Sequence, residues 1–425
     1  MSLIIEGGLD LPLPRMIPVR QKFPDRHITD IRGEIEGLFR RDGKMKRIRA
    51  QCRIAVAVGS RGINAIDQIT RTVIDELKRL GARPFIVPSM GSHGGATADG
   101  QRKVLTGFGI TEEAMGVPVV SSMETVQVGT LDDGTPAWID REALAADGIV
   151  LINRIKPHTA FVGDYESGLL KMVAIGLGKH RGATAFHSCG LDRFGELLPQ
   201  LGRAVLAKAP ILFGLAIIEN AYDRPARFEI VWNEDMIGRE KVLLVEARAL
   251  MPRVIPDNLD VLIVHEIGKE ISGSGMDPNI TGRSSSPYFK RENSLKVQRI
   301  VVLNLSKGAG GSAMGIGLAD FTTDKAVNAM SLDTTWINCI TAGVTASGKI
   351  PIHMPTDREA ILLALKTCAR VIHPQSRIVW IRNTLALERI RVSVPLLPEI
   401  EGNPKLEIAG APEPMPFDGQ GNLLY

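Results

Sequence analysis

Arg53-Ile54-Ala55-Val56-Ala57-Val58 is a short β-rich run, and a helical apolar period follows it at Ile66, Ile69, Val73, Ile74, Leu77 and Leu80. Spacings of three and four place those side chains on one helix face. Gly81 then stands where a helix cap belongs, and Pro84-Phe85-Ile86-Val87 opens the next strand. Strand, helix, strand in this order is a right-handed crossover, which makes the two strands parallel neighbours. In open sheets of this kind ligands gather outside the carboxyl ends of the strands. Arg61 follows the first strand in Val58-Gly59-Ser60-Arg61-Gly62, and His93 follows the second in Met90-Gly91-Ser92-His93-Gly94-Gly95. A third run, Gly148 to Ile152, precedes Lys156-Pro157-His158 in the same way. Three strands thus deliver Arg61, His93 and His158 to one edge, a placement that a histidine satisfied inside a core has no reason to repeat.

Working outward, Glu166 to Leu177 has a helical period with Lys171 in its middle, and Gly176, Gly178 and Gly182 interrupt it before His187. Further strands are expected at Ile211–Ile218, Lys241–Val245, Val261–His265, Arg299–Leu303 and Ile378–Ile381, with a helix over 357–371. At 425 residues the chain exceeds one ordinary core. Pro252 and Pro256 mark a junction, giving residues 1–250 as one domain and 251–425 as a second. The expected fold class is α/β: two α/β domains with mainly parallel sheets, an interdomain cleft, and an irregular Pro/Gly-rich tail from Pro395 onward.

Composition narrows the function classes. A hydrophobic share of 44% with 23% charged residues is that of a soluble globular protein. The net charge of +4 comes without long basic runs, and the densest, residues 40–47, has no aromatic residue interleaved. Nucleic acid is therefore not an expected partner. No apolar run approaches the roughly 20 residues that span a bilayer, and the N-terminus lacks the pattern of a secretory signal. Cys52, Cys189, Cys339 and Cys368 form no CxxC pair, which argues against a structural zinc site and fits a reducing cytoplasm.

His93, His158 and His187 could together hold zinc with one open position, although none has the close helical spacing common in zinc enzymes. Gly-Ser-His-Gly does not match the nucleophile elbow of serine hydrolases. Lys171 on a buried turn could support Schiff-base chemistry. The glycine-rich loops at 268–275 and 308–317 match neither a Walker loop nor a dinucleotide fingerprint. They read instead as lid loops facing a cleft, and residues 281–287, TGRSSSP, have the same composition.

The order of these motifs resembles the lactate racemase family, whose members use a nickel-pincer nucleotide, and the likeness is sharpest between Arg61 and His187. Arg61 resembles the family arginine that holds the substrate carboxylate. His93 in Gly-Ser-His-Gly and His158 in Lys-Pro-His-Thr resemble the two acid/base histidines. Lys171 is similar to the lysine that bears the cofactor through a thioamide, and His187, sixteen residues later, to the nickel-ligating histidine. Lys156 could clamp a cofactor phosphate or flank a rigid proline turn, and Lys269 could substitute for the lysine of the family's Tyr-Gln-x-x-Lys segment. The chain departs from the family racemases in three places. Val58-Gly59-Ser60 precedes Arg61 where they carry an acidic residue, residues 160–171 (AFVGDYESGLLK) are longer than their compact turn, and their Tyr-Gln-x-x-Lys segment has no clear equivalent. Asp164, Tyr165 and Glu166 are candidates for shaping a pocket for a hydroxy acid larger or more polar than lactate.

The resemblance implies a cytoplasmic isomerase, a racemase or epimerase of a small-molecule 2-hydroxy acid. Hydride would pass to and from the lysine-linked nickel-pincer nucleotide while one histidine works on each side of the alcohol carbon. A planar pincer leaves one tetragonal position for a nitrogen donor, so a single imidazole suffices. Enzymes of cofactor biosynthesis become expected partners. Two other readings stand beside this one: a zinc-dependent hydrolase or lyase using the same histidines, and a non-catalytic nucleotide carrier.

Overall fold

The structure, a computed structural model, describes residues 6, 8–60, 62–286 and 294–425. The chain forms two compact units: Pro24–Met251, and the residues up to Phe23 together with Pro252–Tyr425. The chain passes from one unit to the other between Met251 and Pro252, and the first strand, β1 (Met16–Gln21), groups with the C-terminal unit.

The unit Pro24–Met251 is built on β2 (Arg53–Val58), β3 (Arg83–Pro88), the hairpin β4 (Thr125–Thr130) and β5 (Pro136–Asp140), β6 (Gly148–Arg154), β7 (Ile211–Glu219) and β8 (Pro225–Trp232). Its main sheet has the order β3-β2-β6-β7-β8, parallel except for β8. Val56 pairs with both Ile86 and Val150, which aligns the three carboxyl ends. The helix Ile66–Arg79 buries Ile66, Ile69, Val73, Ile74 and Leu77 against Ile54, Val56 and Val58 of β2, with Ile35 and Phe39 of a preceding helix completing the layer. Each such fully buried aliphatic side chain stabilises by about 1.5–3 kcal/mol, so this face fixes how the crossover lies on the sheet.

Two segments differ from the sequence expectation for identifiable reasons. Lys241–Val245 is not a strand but part of the helix Met236–Leu250. Glu240, Leu243, Leu244 and Ala247 are buried there, while Val242 and Val245 face solvent, the alternation of a helix and not of a strand. The antiparallel partner of β7 is β8, a half-buried strand of mixed polarity. The helix expected from Glu166 starts only at Leu169, because the Glu166 carboxylate is occupied by loop amides. Beyond Lys171 it widens into a π-helical turn over Met172–Gly176 and resumes as Lys179–Ser188. The glycines allow close packing: a Cβ on Gly176 would come within 2.8 Å of the Ser89 carbonyl oxygen, and one on Gly178 within 3.2 Å of the Trp138 oxygen.

The C-terminal unit carries β9 (Asn258–Ile267), β10 (Lys296–Leu305), β11 (Phe321–Thr323), β12 (Ile352–Met354), β13 (Ile378–Ile381), β14 (Arg389–Ser393) and β15 (Leu406–Ile408). Its eight-stranded sheet has the order β12-β11-β10-β9-β13-β14-β1-β15, parallel from β12 to β13 and antiparallel beyond. The helix expected over 357–371 spans Asp357–Lys366. The tail is less irregular than its composition suggests, since β15 pairs with β1 and Glu413 bridges to Met16. Among the described residues no helix is long and apolar enough to cross a membrane.

Candidate functional site

The carboxyl ends of β2, β3 and β6 converge as expected. A Cβ on Gly59, just past β2, would lie 3.3 Å from Met172 Cε, 3.6 Å from Asn153 Oδ1 and 3.8 Å from the Ser89 oxygen. The residue that follows Lys171 therefore packs where the three strands end. Asn153 Nδ2 donates to the Gly168 oxygen at 2.6 Å, fastening β6 to the start of the Lys171 turn.

Ser60 Oγ and His93 Nδ1 form a 2.5 Å hydrogen bond that joins the loops after β2 and β3. Arg61, the neighbour of Ser60, lies outside the described residues, as do residues 287–293 with the last residue of the TGRSSSP stretch. His158 sits in a loop closed by two bonds between Lys156 and Ser167, at 2.8 and 3.2 Å. Its Nδ1 accepts the Ala160 amide at 3.0 Å, so the neutral ring carries its proton on Nε2. Its ring lies against Phe161 at a centroid distance of 4.5 Å.

Glu166 organises that loop. Only 2% of its side chain is exposed, and it accepts the His158 amide at 2.5 Å, the Gly163 amide at 3.1 Å and Arg248 Nη2 at 2.5 Å. Asp164 pairs with Lys241 at 2.6 Å on the surface. Two of the three residues expected to shape a substrate pocket thus have other partners, and the third, Tyr165, is buried.

Lys171 closes the short helical turn Leu169–Lys171. His187 lies in the last turn of the helix Lys179–Ser188, edge-on to Phe194 at 5.2 Å and to Phe186 at 6.0 Å. Burial lowers the His187 pKa below its ordinary value, and the nearby positive charge of Lys171 adds to that. Both causes favour a neutral imidazole with a lone pair available as a ligand. The Lys156 side chain stands near Asp223, whose pKa burial and Glu219 raise and whose charged form Lys156 and Arg154 favour. Lys269 belongs to the C-terminal unit, where its Nζ donates to Asn338 Oδ1 at 2.7 Å. The glycine-rich loops of that unit pack on each other: a Cβ on Gly275 (φ +82°) would meet the Met314 oxygen at 1.7 Å.

Sequence reasoning missed Glu240. It is fully buried on the helix Met236–Leu250 and accepts the Leu170 amide at 2.8 Å, which holds the turn that presents Lys171. Burial pushes its pKa up to about 7, only partly offset by the amides of Leu170 and Leu169. The unfolded chain releases this proton near the ordinary glutamate value of 4.5 and the folded chain near 7, so the folded state binds more protons between them. Stability from this group is full below the lower value and is lost as pH rises through the upper one. The loss amounts to about 3 kcal/mol by pH 8. Glu240→Gln keeps an acceptor for Leu170 and cannot ionise, so denaturant titrations of the variant should lack the decline between pH 5 and 8. An unchanged decline would assign it to another group.

Among the described residues no group of three or more His, Cys, Asp or Glu side chains is placed to hold a metal ion. His93, His158 and His187 are thus not gathered into one such group. A single neutral imidazole beside a lysine is the arrangement present.

His93 and His158 thus stand on loops at the carboxyl edge of a parallel sheet, in the same unit as the helical turns that carry Lys171 and His187. Residues 42–194 match the family model of the lactate racemase N-terminal domain, and over that stretch the chain is similar to lactate racemases. The lactate racemase apoprotein of Thermoanaerobacterium thermosaccharolyticum shares the fold, with a TM-score of 0.53 at 14% sequence identity over 88% of this chain and 99% of that one. No curated protein sequence gives a significant match.

Proposed function

We propose that this protein is a racemase or epimerase of a 2-hydroxy acid that works with a nickel-pincer nucleotide attached to Lys171. One observation supports the reading: His187, sixteen residues beyond Lys171, stands close enough to that lysine for its positive charge, with partial desolvation, to lower the imidazole pKa. The chemistry of the donor set fits the group. Lys171 offers the amine for the thioamide, and His187 offers the one nitrogen donor that a planar pincer lacks. Acylation would remove the Lys171 charge, leaving desolvation as the remaining cause of the lowered His187 pKa. When bound, the cofactor supplies a centre that accepts the hydrogen of the alcohol carbon and can return it to either face.

The chain's own residues do the remaining work. His93 and His158 hold the hydroxyl proton on opposite sides of the substrate. His158 rests with its proton on Nε2, because its Nδ1 is taken by the Ala160 amide. In that state Nε2–H can donate a hydrogen bond to the substrate, and the ring can take a proton only at Nδ1, by releasing that amide. His93 shares its Nδ1 with the Ser60 hydroxyl, which can donate or accept, so either ring tautomer is open to it. The roles of Arg61 as a carboxylate clamp, and of Lys156 and Lys269 on the cofactor side, are part of the same proposal.

The test is wild-type protein made alongside the pincer-cofactor biosynthetic enzymes. We expect an intact-mass increase, one nickel per chain, and inversion at C2 on a panel of single-enantiomer 2-hydroxy acids followed by chiral chromatography. An unmodified mass without nickel, from cells in which a known pincer enzyme is loaded, sinks the proposal.

A further inference from the structure

Lys179 belongs to no part of the chemistry above, yet it is the only lysine among the fully buried side chains of the described residues. It lies midway between Lys171 and His187, eight residues from each (179 − 171 = 8; 187 − 179 = 8). Its side chain and that of its partner Asp140 are both 0% exposed, with Nζ and Oδ2 3.1 Å apart. The same ammonium donates to the Pro88 oxygen, the last residue of β3, and to Gln101 Oε1 at 3.2 Å. The ammonium therefore has two hydrogen-bond acceptors, Pro88 and Gln101, and an ion-pair partner in Asp140. Gln101, itself 0% exposed, turns its amide nitrogen to the Gly91 oxygen at 2.8 Å and the His93 oxygen at 3.3 Å.

The backbone of Lys179 has φ +53°, a left-handed conformation that costs a side-chain-bearing residue free energy. Burial opposes the charge on both partners: it pulls the Lys179 pKa down and pushes the Asp140 pKa up. A buried ion pair is no more stabilising than a well-packed apolar pair. Fold stability alone does not account for paying both penalties at this position. What an apolar pair could not do is hold the carbonyl oxygens at the end of β3 and, through Gln101, those of the His93 loop.

We propose that Lys179 is a positioning residue: its ammonium, with Gln101 as relay, locks the loop bearing His93 in register with the helix bearing Lys171 and His187. Asp140 keeps the ammonium charged and in place while its other oxygen caps the Ala143 amide at 2.8 Å. The proposal rests on the acid/base role of His93 given above, but its structural half can be read without cofactor.

The test compares wild type, Lys179→Met, Lys179→Met/Asp140→Asn and Gln101→Leu. Thermal melting reports stability, amide hydrogen exchange on cofactor-free protein reports the loop 89–95, and cofactor-loaded protein gives kcat and KM. Lys179→Met strands the Asp140 charge and should melt lowest. The double variant removes that charge and should regain most of the melting temperature. In both, exchange in the loop should stay accelerated and kcat should stay down about 100-fold, the scale of a misplacement near 1 Å, with KM little changed. Gln101→Leu, which leaves the ion pair whole, should show the same loop and kcat effects and covers the case in which Lys179→Met does not fold. Recovery of loop protection and kcat together with stability in the double variant would overturn the proposal, leaving Lys179 a plain fold-stabilising group. If wild type takes up no cofactor, the function proposed above fails, while the exchange data still decide whether Lys179 locks the loop.

Discussion

Lys171→Ala and His187→Ala should lose the cofactor, whereas His93→Ala and His158→Ala should keep it and lose turnover. The split follows from position. Lys171 and His187 lie on successive helical turns, with the imidazole edge-on to Phe186 and Phe194 and its pKa lowered. Removing the Lys171 amine leaves nothing to acylate, so the mass increase should vanish. Removing His187 would take away the imidazole proposed to hold nickel, so nickel content should fall towards zero. His93 and His158 sit instead on the loops after β3 and β6, and their loss removes a proton carrier without touching the attachment. General acid/base groups contribute about 10²–10⁴-fold, which sets the expected fall in kcat. Intact mass, nickel content and kcat measured on the four variants decide the matter. Loss of nickel from either loop-histidine variant would show that the roles have been divided wrongly.

Glu166→Ala should be among the most damaging single changes outside those four residues. One carboxylate, 2% exposed, receives the amides of His158 and Gly163 and the guanidinium of Arg248. Its removal leaves two inward amides without an acceptor and Arg248 without its counter-charge. Breaking a buried pair costs about 3–5 kcal/mol, and the partly exposed arginine places this case at the lower end. Glu166→Gln keeps one acceptor oxygen and should recover part of that loss. Because the His158 amide is one of the ligands, kcat should fall in both variants even where each is fully folded. Chemical denaturation gives the stability change; an Ala variant as stable as wild type would mean the loop closes by its Lys156–Ser167 bonds alone.

The strand–helix–strand unit at 53–87 was legible because its cues are local: a β-rich run, a 3.6-residue apolar period and a capping glycine. The placement of His93 and His158 at strand ends followed from that unit, and the structure agrees. Arg61, read from the same pattern, lies outside the described residues. Lys241–Val245 was misread because four apolar neighbours in a row satisfy a buried strand and a helix equally well. Only the burial of Glu240, Leu243, Leu244 and Ala247 on one face separates the two.

The sequence by itself determined which residue types stand at which strand ends, and the interval from Lys171 to His187. Tertiary structure alone decided which charges are buried and what they hold. Lys179 meets Asp140 from 39 positions away (179 − 140 = 39), Glu166 meets Arg248 from 82, and Glu240 reaches back 70 to the Leu170 amide. Each of these residues looks like an ordinary surface charge in its own neighbourhood. Whether a charge is exposed depends on what packs over it, and an amide gains a carboxylate partner only when distant segments meet. No local period records either event, so the supports of the site could be found only once the chain had folded.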